Sequence, residues 1–177
     1  MGSESTSALM DLLGNLREFD VVRRLLELAS DKTSRLWRFW FGSTLSSVVY
    51  RVKKEQEGQF SRLLADIPGV FVALDLGHHS LFQEKIVKSL TFSSPGRTVV
   101  SAAFITYILD QWSSSGSHLS WDYMLDYLAM ALWRAMLRRR VCIYSRAQPP
   151  RLDRVVEEDE PDETENLRAG LDPPMED

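Results

Sequence analysis

The sequence predicts an all-α protein, a bundle of helices around a mostly buried central helix, followed by a disordered acidic C-terminal tail. Apolar residues recur at spacings of three and four through most of the first 145 positions, which is the pattern of amphipathic helices. Strand-like alternation is scarce, and from Gln148 onward proline and acidic residues replace the apolar repeat. We therefore expect a helical domain over residues 1–145 and a proline-containing tail over residues 146–177.

The first predicted helix runs from Asp20 to Ala29, with Asp20 as its N-cap and one apolar stripe facing the core. A run of five apolar residues around one arginine follows, from Leu36 to Phe41. This run is either a short helix packed on the core or a contact surface for a membrane or a partner. Both interpretations stay open, because Trp and Arg occur in both settings. The residues of that contact would be Trp37, Arg38, Phe39 and Trp40.

A long amphipathic helix is expected next, because apolar positions at helical spacing extend from Leu45 to Ile67 and stop before Pro68-Gly69. Its solvated face is expected to carry four charged residues: Lys53, Lys54, Glu55 and Glu57. Two shorter apolar segments follow, from Val70 to Leu76 and from Leu81 to Leu90, with a turn at His78-His79 between them.

The strongest helix start is Ser94-Pro95, because serine caps unpaired amide groups and proline fits the first turn. The helix that begins there is expected to reach Trp112, and it is apolar on nearly every side, as a helix surrounded by other helices should be. After a serine-rich turn, Ser120 is the expected cap of a second long helix. Arg138–Arg140 would close that helix by complementing its dipole.

Charge and cysteine content limit the setting in which the protein works. The net charge of −4 comes from the tail, since residues 146–177 hold eleven acidic and four basic residues. The single cysteine, Cys142, cannot form an intrachain disulfide. The chain opens on small polar residues without a secretion signal, and its longest uncharged run, Thr98 to Leu109, is too short to span a bilayer. We therefore expect an intracellular protein that is not secreted.

Several function classes find no support in the residues. No glycine-rich phosphate loop and no nucleophile with its base is present, so we expect neither enzyme activity nor a cofactor. The His78-His79 pair has no third ligand at helical spacing, so no metal site is expected. Nucleic-acid binding is not expected, because Arg138–Arg140 is a small basic run in a chain of negative net charge.

Two segments resemble short homology regions of the Bcl family of apoptosis regulators. Residues 94–104, Ser-Pro-Gly-Arg-Thr-Val-Val-Ser-Ala-Ala-Phe, resemble the first region, in which a Gly-Arg pair opens the central helix. Residues 121–127, Trp-Asp-Tyr-Met-Leu-Asp-Tyr, resemble the second. Longer stretches at 82–85, 92–97 and 118–127 resemble the adenovirus early-region-one-B small T antigens. This resemblance covers about Phe19 to Tyr144.

The resemblance implies a Bcl-like helical bundle that inhibits host apoptosis by holding pro-apoptotic proteins of the Bax and Bak type in a surface groove. Gly96 would let a foreign helix approach the backbone, and Arg97 would pair with the aspartate that such helices carry. Val100 and Phe104 would line the apolar floor, and Trp121 would complete the partner-binding set. The resemblance also implies association with host membranes and with the nuclear envelope or lamina.

Each of these residues also has a purely structural interpretation. Gly96 could permit close packing inside the bundle, and Arg97 could pair with Glu84 or Asp75. Three others could simply pack the bundle: Val100, Phe104 and Trp121. The alternative function from another class is a scaffold associated with a membrane or the nuclear envelope, acting through the aromatic and basic run from Arg35 to Phe41.

Overall fold

The computed structural model describes residues 13–147, apart from the side chains of Asn15 and of residues 140–147. Within this range every regular element is helical, so the predicted all-α class is confirmed. The α-helices are α1 (Phe19–Ala29), α2 (Arg35–Phe41), α3 (Thr44–Glu55), α4 (Glu57–Ala65), α5 (Val70–Asp75), α6 (His79–Lys85), α7 (Pro95–Ser114) and α8 (Trp121–Ala147). Short 3₁₀ turns cover Asn15–Arg17 and Val87–Ser89. The predicted tail lies outside the described residues from 148 onward.

Helix α7 occupies the centre of the bundle. The Ser94 side chain accepts a hydrogen bond from the amide of Arg97, and Pro95 fills the first helical position, so the predicted start is confirmed. Thirteen of the 20 residues in α7 are buried, and the helix packs against α1, α3, α4 and α8. The predicted buried central helix is therefore confirmed. It ends at Ser114, two residues beyond the expected Trp112.

Helix α1 starts at Phe19, so the N-cap position belongs to Glu18 and Asp20 lies in the first turn. The predicted N-cap was therefore wrong by two residues. The apolar stripe of α1 is buried against α3, α7 and α8 as expected. Its buried residues are Val22, Leu25, Leu26, Leu28 and Ala29.

The single long helix expected between Leu45 and Ile67 is two helices. The chain leaves helical geometry at Gln56, where φ is −100° and ψ is 7°, and α4 starts at the next residue. Gly58 follows within the first turn of α4 and has a low helix propensity, which favours a break here. The break directs Phe60, the buried residue of α4, onto α7.

Lys53 is buried, so its expected place on a solvated face was wrong. Its side chain is 2% exposed, and its ammonium group contacts the carboxylates of Asp110 and Asp31. It also donates a hydrogen bond to the carbonyl of Ala29 at 2.9 Å. Asp110 accepts further hydrogen bonds from the Ser30 hydroxyl at 2.5 Å and the Asp31 amide at 3.1 Å. This polar cluster joins the end of α1 to α3 and α7.

Helix α8 begins after Ser120, whose hydroxyl accepts a hydrogen bond from the amide of Tyr123, as expected for a cap. Its core positions include Leu125, Leu128 and Leu132, which are buried against α1 and α7. The helix continues to Ala147, so Arg138–Arg140 do not close it.

Candidate functional site

The first turn of α7 presents an exposed glycine and an exposed arginine side by side. A Cβ atom at Gly96 would meet no heavy atom within 4 Å, so this glycine does not serve close packing inside the bundle. That structural interpretation is wrong. Because the space beside Gly96 opens outward, another backbone can come close to α7 at this point.

Arg97 lies next to this opening and is exposed. Its guanidinium donates a hydrogen bond to the Ser93 hydroxyl at 2.9 Å, and no acidic side chain within residues 13–147 forms an ion pair with it. The alternative pairing with Asp75 is wrong, because that carboxylate accepts hydrogen bonds from Trp112 at 2.7 Å and Ser117 at 2.6 Å. The positive charge of Arg97 therefore remains available to an outside carboxylate.

The two apolar residues expected to line a groove lie at different depths. Val100, one turn beyond Gly96, is 43% exposed, whereas Phe104, a further turn along, is only 6% exposed. The Phe60 ring of α4 covers Phe104, with ring centroids 5.0 Å apart. Gly96, Arg97 and Val100 thus form an open strip on α7, and the apolar surface continues beneath α4 to Phe104.

Trp121 does not lie near this strip. Gly96 and Ser114 are separated by 18 residues of α7, which is about 27 Å along a helix. Trp121 follows the C-terminal end of α7, beside Lys32, whose ammonium group lies 5.9 Å from the indole centroid. The structure therefore does not join Trp121 to Gly96 and Arg97 in one site. Its indole N–H is buried and has no hydrogen-bond partner among the described residues.

Helix α2 exposes the aromatic run that the sequence singles out. No residue of α2 is buried, so of the two interpretations left open for this run, the helix packed on the core is wrong. Phe39 is 80% exposed and Trp40 is 74% exposed, and three neighbours are also largely accessible: Leu36, Trp37 and Phe41. The rings stack on one another rather than on the bundle, with Trp37 and Phe41 centroids 4.1 Å apart.

Arg38 points the opposite way from these rings. Its guanidinium donates hydrogen bonds to the carbonyls of Leu28 at 2.8 Å, Ser30 at 2.7 Å and Thr33 at 3.1 Å. It also stacks 3.8 Å from the centroid of the Tyr50 ring. Carbonyls at a helix C-terminus lack intrahelical donors, so Arg38 caps the end of α1 and anchors α2 to it. The expected role of Arg38 as an outward contact residue is therefore wrong.

The remaining features of the described part bear on cofactors and membranes. Among the side chains that the structure describes, up to Arg139, no three His, Cys, Asp or Glu residues lie together so that they could hold a metal ion. His79 instead stacks on Tyr127, with ring centroids 4.2 Å apart. None of the helices in this part of the chain combines the length and apolarity needed to cross a membrane.

Comparison with known proteins decides the family. Residues 10–144 match the protein family described as adenovirus E1B 19K protein / small t-antigen. The chain belongs to the adenovirus E1B small T-antigen family. The match covers the bundle except for the last three residues of α8, and it includes Gly96, Arg97 and the aromatic run of α2. The resemblance to the adenovirus early-region-one-B small T antigens that the sequence segments indicated is confirmed.

Individual relatives agree with this assignment. The E1B small T-antigen of human adenovirus F serotype 40 is 57% identical over 169 residues, which cover 94% of this chain and 99% of the relative. That of human adenovirus A serotype 12 is 59% identical over 140 residues, 79% of this chain and 85% of the relative. That of human adenovirus C serotype 2 is 45% identical over 136 residues, which cover 76% of this chain and 77% of the relative. No solved structure shows a significant match.

Proposed function

We propose that this family member inhibits host apoptosis by binding the amphipathic death-promoting helices of pro-apoptotic Bcl-family proteins such as Bax and Bak. The binding site is the strip of Gly96, Arg97 and Val100 on α7. One observation carries the proposal: Gly96 and Arg97 are exposed together at the start of a buried helix, and neither is occupied by packing or ion pairing within the described bundle. The Bcl-like resemblance of residues 94–104 supports the same site.

The chemistry of the strip suits a helix that carries apolar residues and one aspartate. Gly96 removes the side chain that would keep the foreign backbone away, and Val100 offers an apolar contact one turn on. Arg97 can accept a carboxylate in a bidentate pair as the approaching helix excludes water. Phe104 becomes part of the floor when α4, which is held on α7 by Phe60, moves aside. Inhibition then follows from sequestration and needs no catalysis.

The test is fluorescence anisotropy of labelled Bax and Bak death-helix peptides titrated with the full chain. Arg97→Ala should weaken binding by about 2 kcal/mol or more, roughly thirtyfold, because the peptide aspartate loses its partner in a partly desolvated contact. The matched control is Arg24→Ala, which removes another exposed arginine, on α1. It should bind like the native protein. If folded native chain binds neither peptide, the proposal is wrong.

A second candidate function is attachment to a membrane or the nuclear envelope through α2, as a scaffold. The exposure of Trp37, Phe39 and Trp40 favours it, because tryptophan rings sit well at the headgroup level of a bilayer and cost free energy when left in water. Hydrogen bonds from Arg38 attach α2 to the C-terminal end of α1, so the exposed rings are held in a fixed place on the bundle.

Flotation of the full chain with phospholipid vesicles tests this second function. Trp37→Ala combined with Trp40→Ala should abolish flotation, because it removes both tryptophan rings that would sit at the headgroup level. The matched control is Leu119→Ala with Tyr123→Ala, which removes exposed apolar surface elsewhere. Equal flotation of both double variants would show that α2 is not the attachment site.

A further inference from the structure

A basic cleft of about 340 Å³ lies between α6, the Val87–Ser89 turn and α8. Its apolar floor includes Val87, Ala131 and Ala135, and two arginines of α8, Arg134 and Arg138, line it one helical turn apart. Both arginines are exposed, and no acidic side chain within residues 13–147 forms an ion pair with either. The cleft therefore carries two positive charges with no internal partner.

The surroundings add to this positive charge. Lys85 and Lys88 are exposed on the two elements that contribute Gln83 and Val87 to the cleft, and Glu84 is the exposed acidic residue there. Beyond Asp126, α8 contains no acidic residue. Arg139, in contrast, is used within the fold, since it donates hydrogen bonds to the carbonyls of Leu90 and Lys88. The cleft thus favours a ligand with several carboxylates and some apolar surface.

The same chain contains a segment rich in carboxylates, in which Pro161 is the one apolar residue. Glu157–Glu165 holds seven acidic residues in nine and no basic residue. It starts ten residues after Ala147, and ten extended residues span about 33 Å. Arg134 lies 13 residues before Ala147 on α8, which is about 20 Å along a helix. The connecting residues are therefore long enough for the acidic segment to return to the cleft.

We propose that Glu157–Glu165 folds back onto this basic cleft and pairs with Arg134 and Arg138 of the same chain. A single exposed ion pair contributes little binding free energy, but several carboxylates of the segment can pair with the two arginines. The short tether also gives the segment a local concentration in the millimolar range. The contact shields the positive face of α8 in the isolated protein. An outside acidic partner that binds this face must displace the segment. The proposal is independent of the helix-binding strip, since the cleft includes neither Gly96 nor Arg97.

Paramagnetic relaxation in the full chain tests the contact. A nitroxide is attached at residue 160 through Glu160→Cys in a Cys142→Ala background, and methyl signals of Ala131 and Ala135 are followed. They should broaden more than that of Ala29, which lies at the end of α1 and serves as reference. The excess broadening should disappear in about 1 M salt, where the screening length falls to about 3 Å. Arg134→Glu with Arg138→Glu should abolish it as well.

Matched variants keep the result interpretable. Arg24→Glu with Arg51→Glu reverses two exposed charges elsewhere and should leave the broadening intact. Replacing the six acidic residues that remain in the labelled segment by their amides leaves the bundle's own sequence unchanged and should also abolish the broadening. Excess broadening that survives both the charge reversal and the amide replacement would overturn the proposal. Broadening that arises only between a labelled chain and a nitroxide on another copy would overturn the intramolecular contact.

Discussion

Lys53 places one positive charge between α1, α3 and α7, where it meets Asp110 and Asp31. Burying a charge is costly unless its partner is present, so removal of one member leaves the other uncompensated. We expect Lys53→Met to lower the free energy of unfolding by about 3 to 5 kcal/mol. Urea denaturation of the full chain, followed by circular dichroism, measures this loss.

Two companions of that variant isolate the charge effect. Lys54→Met removes an exposed lysine that pairs with the half-exposed Asp31. Burial alone would raise the pKa of the Asp31 carboxyl, but hydrogen bonds and charge from Lys54 and Lys53 lower it below its ordinary value. It should cost less than about 1 kcal/mol. Lys53→Met combined with Asp110→Leu removes both buried charges and should recover much of the loss. If Lys53→Met costs no more than Lys54→Met, the ammonium group does not stabilise the bundle.

Gly96 separates stability from binding. Because a Cβ atom there meets nothing in the bundle, Gly96→Ala should leave the free energy of unfolding unchanged or raise it by roughly 0.5 kcal/mol. The same methyl group would stand between α7 and a bound helix, so peptide affinity should fall about tenfold. Thermal unfolding and peptide anisotropy of one sample measure both. Unchanged affinity would move the helix-binding site away from Gly96.

At the scale of elements, α2 is held to the bundle by a polar anchor instead of by apolar packing. Arg38→Ala removes three hydrogen bonds to the carbonyls at the end of α1 and should lower the free energy of unfolding by roughly 2 kcal/mol. Arg35→Ala, on the same helix but exposed, should change it little. Urea denaturation compares the two variants, and an equal small effect would show that the Arg38 cap contributes nothing.

Helix α4 should open more readily than the helix it covers. Phe60 is its buried residue, whereas thirteen residues of α7 are buried, and local opening follows the amount of buried contact. Hydrogen exchange measured by NMR should therefore show faster amide exchange in α4 than in the middle of α7. Equal protection of the two helices would argue against α4 as a movable cover over Phe104.

Some of these elements could be read from the sequence because their signals are local. Ser94-Pro95 and Ser120 mark helix starts through caps that involve only the next few residues. The break at Gln56 has no such mark, since apolar spacing carries on across it and Gln and Glu are good helix formers. The sequence also could not show that the Arg38 side chain points toward the bundle, because its partners are backbone carbonyls, which every residue type provides.

The sequence likewise predicted the candidate site only in part. The Gly-Arg pair at 96–97 came from a short motif, and its exposure agrees with the role that the motif implies. The grouping with Trp121 failed because a motif gives no distance, and the length of α7 separates the two ends of the helix. Lys53 could not be distinguished from Lys54 by sequence, since only the packing of α1 and α7 shows which lysine faces Asp110.

At the scale of the whole molecule, the C-terminal part of α8 lies next to the turn that precedes α7. The guanidinium of Arg139 lies 5.6 Å from the Phe92 ring and reaches the carbonyl of Leu90, so the basic part of α8 is close to the turn that precedes Arg97. A protein of net charge −4 thus concentrates positive charge at one end of its bundle. Acidic ligands, whether a partner helix or the chain's own segment, are attracted to that end.

The central claim is that Arg97 pairs with the aspartate of a bound death-promoting helix, and a charge-reversal cycle tests it most directly. Anisotropy is measured for native and Arg97→Asp protein, each with the native Bak peptide and with a peptide whose aspartate is replaced by arginine. Each single reversal should weaken binding by about thirtyfold or more, and the double reversal should recover at least about tenfold, because the opposite charges face each other again. Single effects that simply add, with no recovery in the double reversal, would contradict the account.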